Sequence, residues 1–157
     1  MHAGDVVPDF ELPDDEGTPR RLSDLLQKGP VVLFFYPAAM TTGCTRESCH
    51  FRDLQGEFDA VGAQPVGISA DGVDKQRQFS QKHGFGFPLL SDADRTVARE
   101  VGAARRFTVL PNKRTTFVID RDRTLLAVIH NELNMNQHAD KALAILRARA
   151  TPAPGAG

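Results

Sequence analysis

The stretch Val31-Val32-Leu33-Phe34-Phe35-Tyr36-Pro37-Ala38-Ala39-Met40-Thr41-Thr42-Gly43-Cys44-Thr45-Arg46-Glu47-Ser48-Cys49 decides how this chain is read. Val31 to Phe35 is an unbroken apolar run rather than an alternating one, the pattern of a central strand covered on both faces. Pro37 and a small polar turn end it, and a helix then opens around Cys44, the first of the chain's 2 cysteines. A thiol at a helix N-terminus meets backbone N–H groups and the positive end of the macrodipole. Both favour the thiolate, which is the reactive form. The placement points to redox chemistry.

Working outward, residues Gly4 to Pro30 are rich in Pro, Asp and Gly and read as an irregular or hairpin-like lead-in, with short alternating pieces such as Asp9-Phe10-Glu11-Leu12. Ser23-Asp24-Leu25-Leu26 reads as a short helical turn with Ser23 as its N-cap. Beyond Cys44, Phe51, Leu54, Phe58 and Val61 recur at spacings of three and four, the stripe of an amphipathic helix facing a core. Gln64 to Ser69 is predicted as a strand, Asp71 to His83 as a helix capped by Asp71, Phe87 to Leu90 as a strand and Arg95 to Val101 as a short helix. Arg114 to Asp120 and Thr124 to His130, separated by a tight polar turn, are predicted to pair as an antiparallel hairpin. The closing helix sets Ala139, Ala142, Leu143 and Leu146 on one face. Ala103 to Asn112 reads as a loop that leads into the Arg114 strand and overlies the site. The Pro, Ala and Gly of Thr151 to Gly157 predict a disordered tail over residues 151–157. Alternating strands and helices, then a hairpin and a last helix, imply an α/β fold with a mixed sheet flanked by helices, in a single domain over residues 1–150.

At 157 residues and 41% apolar composition the chain has the length for one domain with a sound core. Nineteen basic against twenty acidic residues give a formal charge of -1, so no electrostatic footprint argues for nucleic acid or an anionic membrane as partner. A small ligand fits better. Met1-His2-Ala3-Gly4-Asp5 lacks a basic region followed by an apolar run, and no apolar stretch approaches the roughly 20 residues of a membrane span. The expected location is cytoplasmic. In that compartment paired cysteines serve catalysis, redox sensing or metal binding more often than a permanent bridge.

On a helix turning about 100° per residue, Cys44 lies seven positions before Phe51 and so on the same inward face, while Cys49 is rotated by about 140° from it and faces outward. In an intact helix their Cα atoms stand about 8 to 9 Å apart, beyond the roughly 7 Å that a disulfide spans. Joining them requires the first turns of the helix to unwind. A Cys of pKa about 8.5 is only about 3% ionised at pH 7, and one near 6 is about 90% ionised, a difference of about 3.4 kcal/mol. A helix N-terminus supplies about 0.3 to 1 kcal/mol and at best about 2. A nearby cation must supply the rest. Arg46, Arg52 and Arg114 are the candidates. Arg46 falls on another face of the helix, and the residues alone do not rank Arg114 above Arg52. Glu47, one turn beyond Cys44, is either a partner that orients an Arg or an ordinary surface residue. The histidines at 2, 50, 83, 130 and 138 show no acid/base arrangement.

The run Pro37-Ala38-Ala39-Met40-Thr41-Thr42-Gly43-Cys44, followed five residues on by Cys49, resembles the Pro-x-x-x-Thr-x-x-Cys pattern of the peroxiredoxins, in particular the peroxiredoxin Q (bacterioferritin comigratory protein) subfamily. The resemblance extends through Pro8-Asp9-Phe10-Glu11-Leu12, Phe51-Arg52-Asp53, Val66-Gly67-Ile68-Ser69, Phe87-Pro88-Leu89-Leu90-Ser91-Asp92 and Arg114-Thr115-Thr116-Phe117-Val118-Ile119-Asp120. It implies a thioredoxin-like fold with an N-terminal extension and reduction of hydrogen peroxide and organic hydroperoxides, with no cofactor and no metal. Carried over by position, Cys44 is the peroxidatic thiolate, Cys49 the resolving thiol, Pro37 the screen of the pocket, and Thr41 and Arg114 the family's Thr and Arg, which lifts Arg114 over Arg52. Thr41 then supplies a hydroxyl donor and acceptor, and Arg114 with the N–H groups of Gly43 and Cys44 stabilises the departing oxygen. Thioredoxin or another dithiol reductant is the implied partner, and the protein is expected to be a monomer. Two positions depart from the pattern. Gly102 to Leu110 differs from the aromatic-containing stretch common in the family, and Thr42 stands where Pro is frequent, leaving φ unlocked before Cys44.

Other readings use the same residues. A thioredoxin-type dithiol reductase would carry Cys-x-x-Cys, whereas four residues separate these thiols. A metal module built on Cys44, Cys49 and His50 lacks a fourth ligand, and the helix points its thiols apart. A redox sensor passing oxidation to a partner would use the same cysteines without turnover.

Overall fold

A computed structural model describes residues 1–103, 113–132 and 134–150. Val31–Phe35 (β3) is fully buried along its length, because it is the middle strand of a sheet of order β5-β4-β3-β6-β7. The others are Gln64–Ser69 (β4), Leu89–Ser91 (β5), Thr115–Ile119 (β6) and Leu125–His130 (β7). β3 runs parallel to β4, and β4 to β5, whereas β3 is antiparallel to β6 and β6 to β7. The side chains of β3 divide by the strand period of two. Val31, Leu33 and Phe35 enter one core with Val7, Phe10, Leu22, Val97 and Val101. Val32, Phe34 and Tyr36 enter the other with Cys44, Phe51, Phe58, Phe79 and Leu143. An apolar run without alternation is therefore what a strand between two cores requires.

The first face is covered by the N-terminal extension, a hairpin of Glu11–Pro13 (β1) and Pro19–Arg21 (β2) leading into Leu22–Leu25 (α1), and by Thr96–Val101 (α5). The second face is covered by Thr42–Asp53 (α2), Gln55–Ala60 (α3), Val73–His83 (α4) and Asn136–Ala150 (α6). Helices of both parallel crossovers, β3 to β4 and β4 to β5, lie on this one face, as right-handed connections between strands laid down in one direction must. Phe51 stacks on Phe34 with ring centroids 4.2 Å apart and so seats α2 on β3. Gly67 of β4 makes room for the Phe34 ring and for Leu89: a Cβ there would meet Leu89 Cδ2 at 2.7 Å and Phe34 Cζ at 3.0 Å.

The mixed sheet flanked by helices, the hairpin of β6 and β7 and the buried face of α6 at Ala139, Ala142, Leu143 and Leu146 agree with the sequence reading. Details differ where distant side chains intervene. Ser23 does not cap α1, whose N-cap is Arg21. Instead Asp9 receives both the Ser23 N–H and the Ser23 hydroxyl, each at 2.9 Å, so the cap comes from the extension. Asp71 does not cap α4, which starts after Gly72, because its carboxylate is taken by Ala39 and Ser69. The single helix expected from Phe51 to Val61 is two, separated at Leu54, with Phe51 and Phe58 still inward. β5 begins at Leu89, later than expected, since Pro88 has no N–H to contribute and uses its carbonyl to receive the Gly67 N–H. The tail at 151–157 and most of the loop at 103–112 lie outside the described residues.

Candidate active site

The turn from β3 into α2 is anchored at both ends. The buried Tyr36 hydroxyl donates to Gln76 Oε1 at 2.6 Å, and the Ala39 N–H donates to Asp71 Oδ2 at 2.6 Å. Between them Pro37 is half-buried. Met40 takes a left-handed φ of 69°, which turns the chain sharply into Thr41, the N-cap of α2. The Thr41 carbonyl accepts the Thr45 N–H, but its exposed side chain does not cap. Its hydroxyl donates back to the Ala38 carbonyl at 2.8 Å. The N–H groups of the first turn, those of Thr42, Gly43 and Cys44, are the ones an α-helix leaves without intrahelical acceptors.

Cys44 has no exposed surface and lies in the apolar core against β3. Cys49 is half-buried on the other side of α2, and both thiols are free. The inward and outward orientations follow the helical projection. Burial pushes the Cys49 thiol up, with the Asp53 charge adding to this and Arg52 opposing it.

Of the three candidate cations only Arg114 reaches the inward thiol. Its Nη1 lies 3.4 Å from Cys44 Sγ. Arg46 is exposed, and Arg52 donates to the His83 carbonyl at 2.7 Å and to Asp53. Arg114 sits just before β6, is 7% exposed, and its main-chain N–H donates to Glu132 Oε1 at 3.0 Å. Gly43 lets the guanidinium settle over the helix start: a Cβ there would stand 3.1 Å from Arg114 Nη2 and 3.6 Å from Met135 Sδ. The antiparallel pairing of β6 with β3 thus delivers a cation to the end of β3 where α2 begins.

Glu47 is not a surface residue. It is fully buried, with Oε2 3.8 Å from Arg114 Nη1 and 3.4 Å from His138 Nε2. Burial pushes its carboxyl up to about 8; the Glu132 charge adds to this and Arg114 opposes it. His138 is also fully buried, and burial lowers its pKa, so its ring is neutral at neutral pH. The Nε2–H points to the Asn131 carbonyl at 2.8 Å, and Nδ1 receives the Thr116 hydroxyl at 2.8 Å. The contact with Glu47 is therefore not an ion pair. His138 and the burial of Glu47 were missed in the sequence, although Cys44, Glu47, Ser48 and Phe51 have the spacing of one inward stripe and all four are buried. His50 ties α2 to α6 through Asp140 at 2.8 Å instead of grouping with the cysteines. Among the described residues no set of three or more His, Cys, Asp or Glu is placed to hold a metal ion, and no helix is long and apolar enough to cross a membrane.

Residues 3–128 match the model of the AhpC/TSA family. The crystal structure of peroxidoxin BcpB from Mycobacterium tuberculosis superposes with a TM-score of 0.91 at 62% identity, over 94% of this chain and 97% of that one. A structure of the Xanthomonas campestris bacterioferritin comigratory protein, concerned with its alkyl peroxide reduction activity, superposes with a TM-score of 0.83 at 33% identity, over 90% of this chain and 92% of that one. The chloroplastic peroxiredoxin Q of Sedum lineare is 39% identical over 146 residues, covering 92% of this chain and 77% of the relative. A thioredoxin-like fold, a buried thiol at the start of a helix and matches over nearly the whole chain lead to one conclusion: the chain belongs to the AhpC/TSA family, as a thiol peroxidase of the peroxiredoxin Q (bacterioferritin comigratory protein) type.

Proposed function

We propose that the protein reduces hydrogen peroxide and organic hydroperoxides through a sulfenic acid on Cys44, resolved by Cys49 and recycled by thioredoxin or another dithiol, acting as a monomer in the cytoplasm. The observation that carries this reading is the 3.4 Å approach of a buried guanidinium to a buried Sγ at a helix N-terminus. A desolvated cation stabilises the anionic sulfur far more than a screened surface charge would. The thiolate attacks the terminal peroxide oxygen, the O–O bond breaks, and the alkoxide or hydroxide that leaves takes a proton. Arg114 and the N–H groups of Gly43 and Cys44 stabilise charge on that departing oxygen. Thr41, whose proton is committed to the Ala38 carbonyl, keeps its lone pairs to receive the peroxide O–H. Pro37 screens the entrance. The Cys49 thiol then displaces water from the sulfenic sulfur, and a dithiol reopens the resulting disulfide by exchange. The alkyl peroxide activity of the Xanthomonas relative supports including organic hydroperoxides.

Peroxide consumption coupled to thioredoxin, its reductase and NADPH tests the reading. Sustained turnover is expected, and consumption of one equivalent without recycling would favour a sensor. Cys49→Ser is expected to perform the first oxidation at close to the normal rate, then stall as a sulfenic acid that a 1,3-dicarbonyl probe labels, with steady-state turnover lost. Undiminished turnover in that variant would remove Cys49 from the cycle.

Disulfide formation must also disrupt α2, since Cys44 is packed inward and Cys49 is on the opposite side. Amide protection of residues 43 to 52 is expected to fall on oxidation, while β3 and β4 keep theirs. Equal protection in the two redox states would exclude unwinding.

A further inference from the structure

Glu47 is a buried acid that the peroxide chemistry above does not use. Among the described residues neither of its carboxyl oxygens has a partner within hydrogen-bond distance and geometry, Arg114 Nη1 standing 3.8 Å off. It lies one helical turn from Cys44, and one atom, Arg114 Nη1, faces both groups, at 3.4 Å from Sγ and 3.8 Å from Oε2. Two buried anions against one buried cation would leave a net negative charge away from solvent, an expensive arrangement. We propose that Cys44 and Glu47 hold one proton between them: Glu47 carries it as a neutral carboxylic acid while Cys44 is the thiolate, and releases it when oxidation makes Cys44 neutral.

The groups facing Glu47 from each side support this assignment. From its own helix comes Cys44. From the approach to β6 comes Arg114, the cation that both acids share. From α6 comes His138, neutral and held by Thr116 and Asn131 in a fixed tautomer, so that it provides no second positive charge. From the connection between β7 and α6 comes Glu132, whose negative charge further disfavours ionisation of Glu47 and which itself lies 3.9 Å from His130. Burial acts in the same direction as Glu132, and only Arg114 opposes them.

The proton count closes around the cycle. A thiolate, a protonated Glu47 and ROOH become a sulfenic acid, an ionised Glu47 and ROH. Condensation with the Cys49 thiol releases water. The incoming dithiol then gives up two protons, one to Cys49 and one to Glu47, as the Cys44 thiolate is regenerated. Glu47 need not touch the peroxide, so it is a positioning residue that keeps Arg114 facing one negative charge in each state.

The inference rests on the peroxidatic reading of Cys44 only for its catalytic consequence, and its test is spectroscopic. Infrared spectra of the reduced protein at pH 7 are expected to show a carbonyl stretch from a protonated carboxyl group, absent in Glu47→Gln. The same stretch is expected to vanish in Cys44→Ser, where residue 44 is neutral and Arg114 is free to ionise Glu47. In stopped-flow measurements the first oxidation of the wild type should show an alkaline inflection that Glu47→Gln lacks. A wild-type protein without the protonated carboxyl signal, or a signal that survives in Cys44→Ser, would overturn the proposal. Because no peroxide enters the infrared experiment, a failure of turnover leaves its outcome readable.

Discussion

Cys44→Ser is expected to consume no peroxide above the uncatalysed background, with the fold retained. A serine hydroxyl fits the volume of the thiol, but an alcohol is far too weak an acid for one cation and a helix terminus to ionise. Cys49 cannot take its place. It sits on the opposite side of α2, away from Arg114, and burial raises its thiol, so little of the reactive form is present at neutrality. The expected loss is therefore complete. It is measured as peroxide consumption with a thioredoxin system, alongside circular dichroism to establish that the variant is folded. Retained peroxidase activity in this variant would defeat the assignment of Cys44.

Arg114→Ala is expected to slow the first oxidation by about 10²- to 10³-fold, the range observed when one preorganised donor to a developing anion is deleted. The loss has two sources. The sulfur no longer has a cation at 3.4 Å, and the departing oxygen loses a charge-assisted donor. The strand itself should survive, because the bond from residue 114 to Glu132 is made by the main-chain N–H. Arg114→Lys restores a charge without the planar fork, so it is expected to recover only part of the rate. Stopped-flow mixing of reduced protein with hydrogen peroxide measures all three. A rate for Arg114→Ala within a few-fold of the wild type would place the stabilising charge elsewhere.

The central strand and the inward thiol were readable because both are set by local periodicity. Val31 to Phe35 could have no polar face between two cores, and the angle between Cys44 and Cys49 is a property of any helix. The choice among Arg46, Arg52 and Arg114 was different in kind. Arg114 is seventy positions from Cys44, and only the resemblance to a known family singled it out before the pairing of β6 with β3 was visible. The misread caps share one cause. Ser23 and Asp71 are good N-cap residue types, but Asp9 and Ala39, distant in sequence, offered them other partners. Glu47 and His138 failed in the opposite direction. Acidic and imidazole side chains are expected outside, and their burial becomes intelligible only with Arg114, Thr116 and Asn131 in place around them.

The Ala39 N–H is tied to Asp71, and Asp71 to Ser69 at the end of β4. That tether fastens the chain just upstream of α2 to the end of a central strand, so the proposed unwinding on oxidation is expected to stop there. In the proposed cycle the remodelling is then confined to a short stretch of chain upon an unchanged frame, and regaining the Cys44 geometry asks only that stretch to reform.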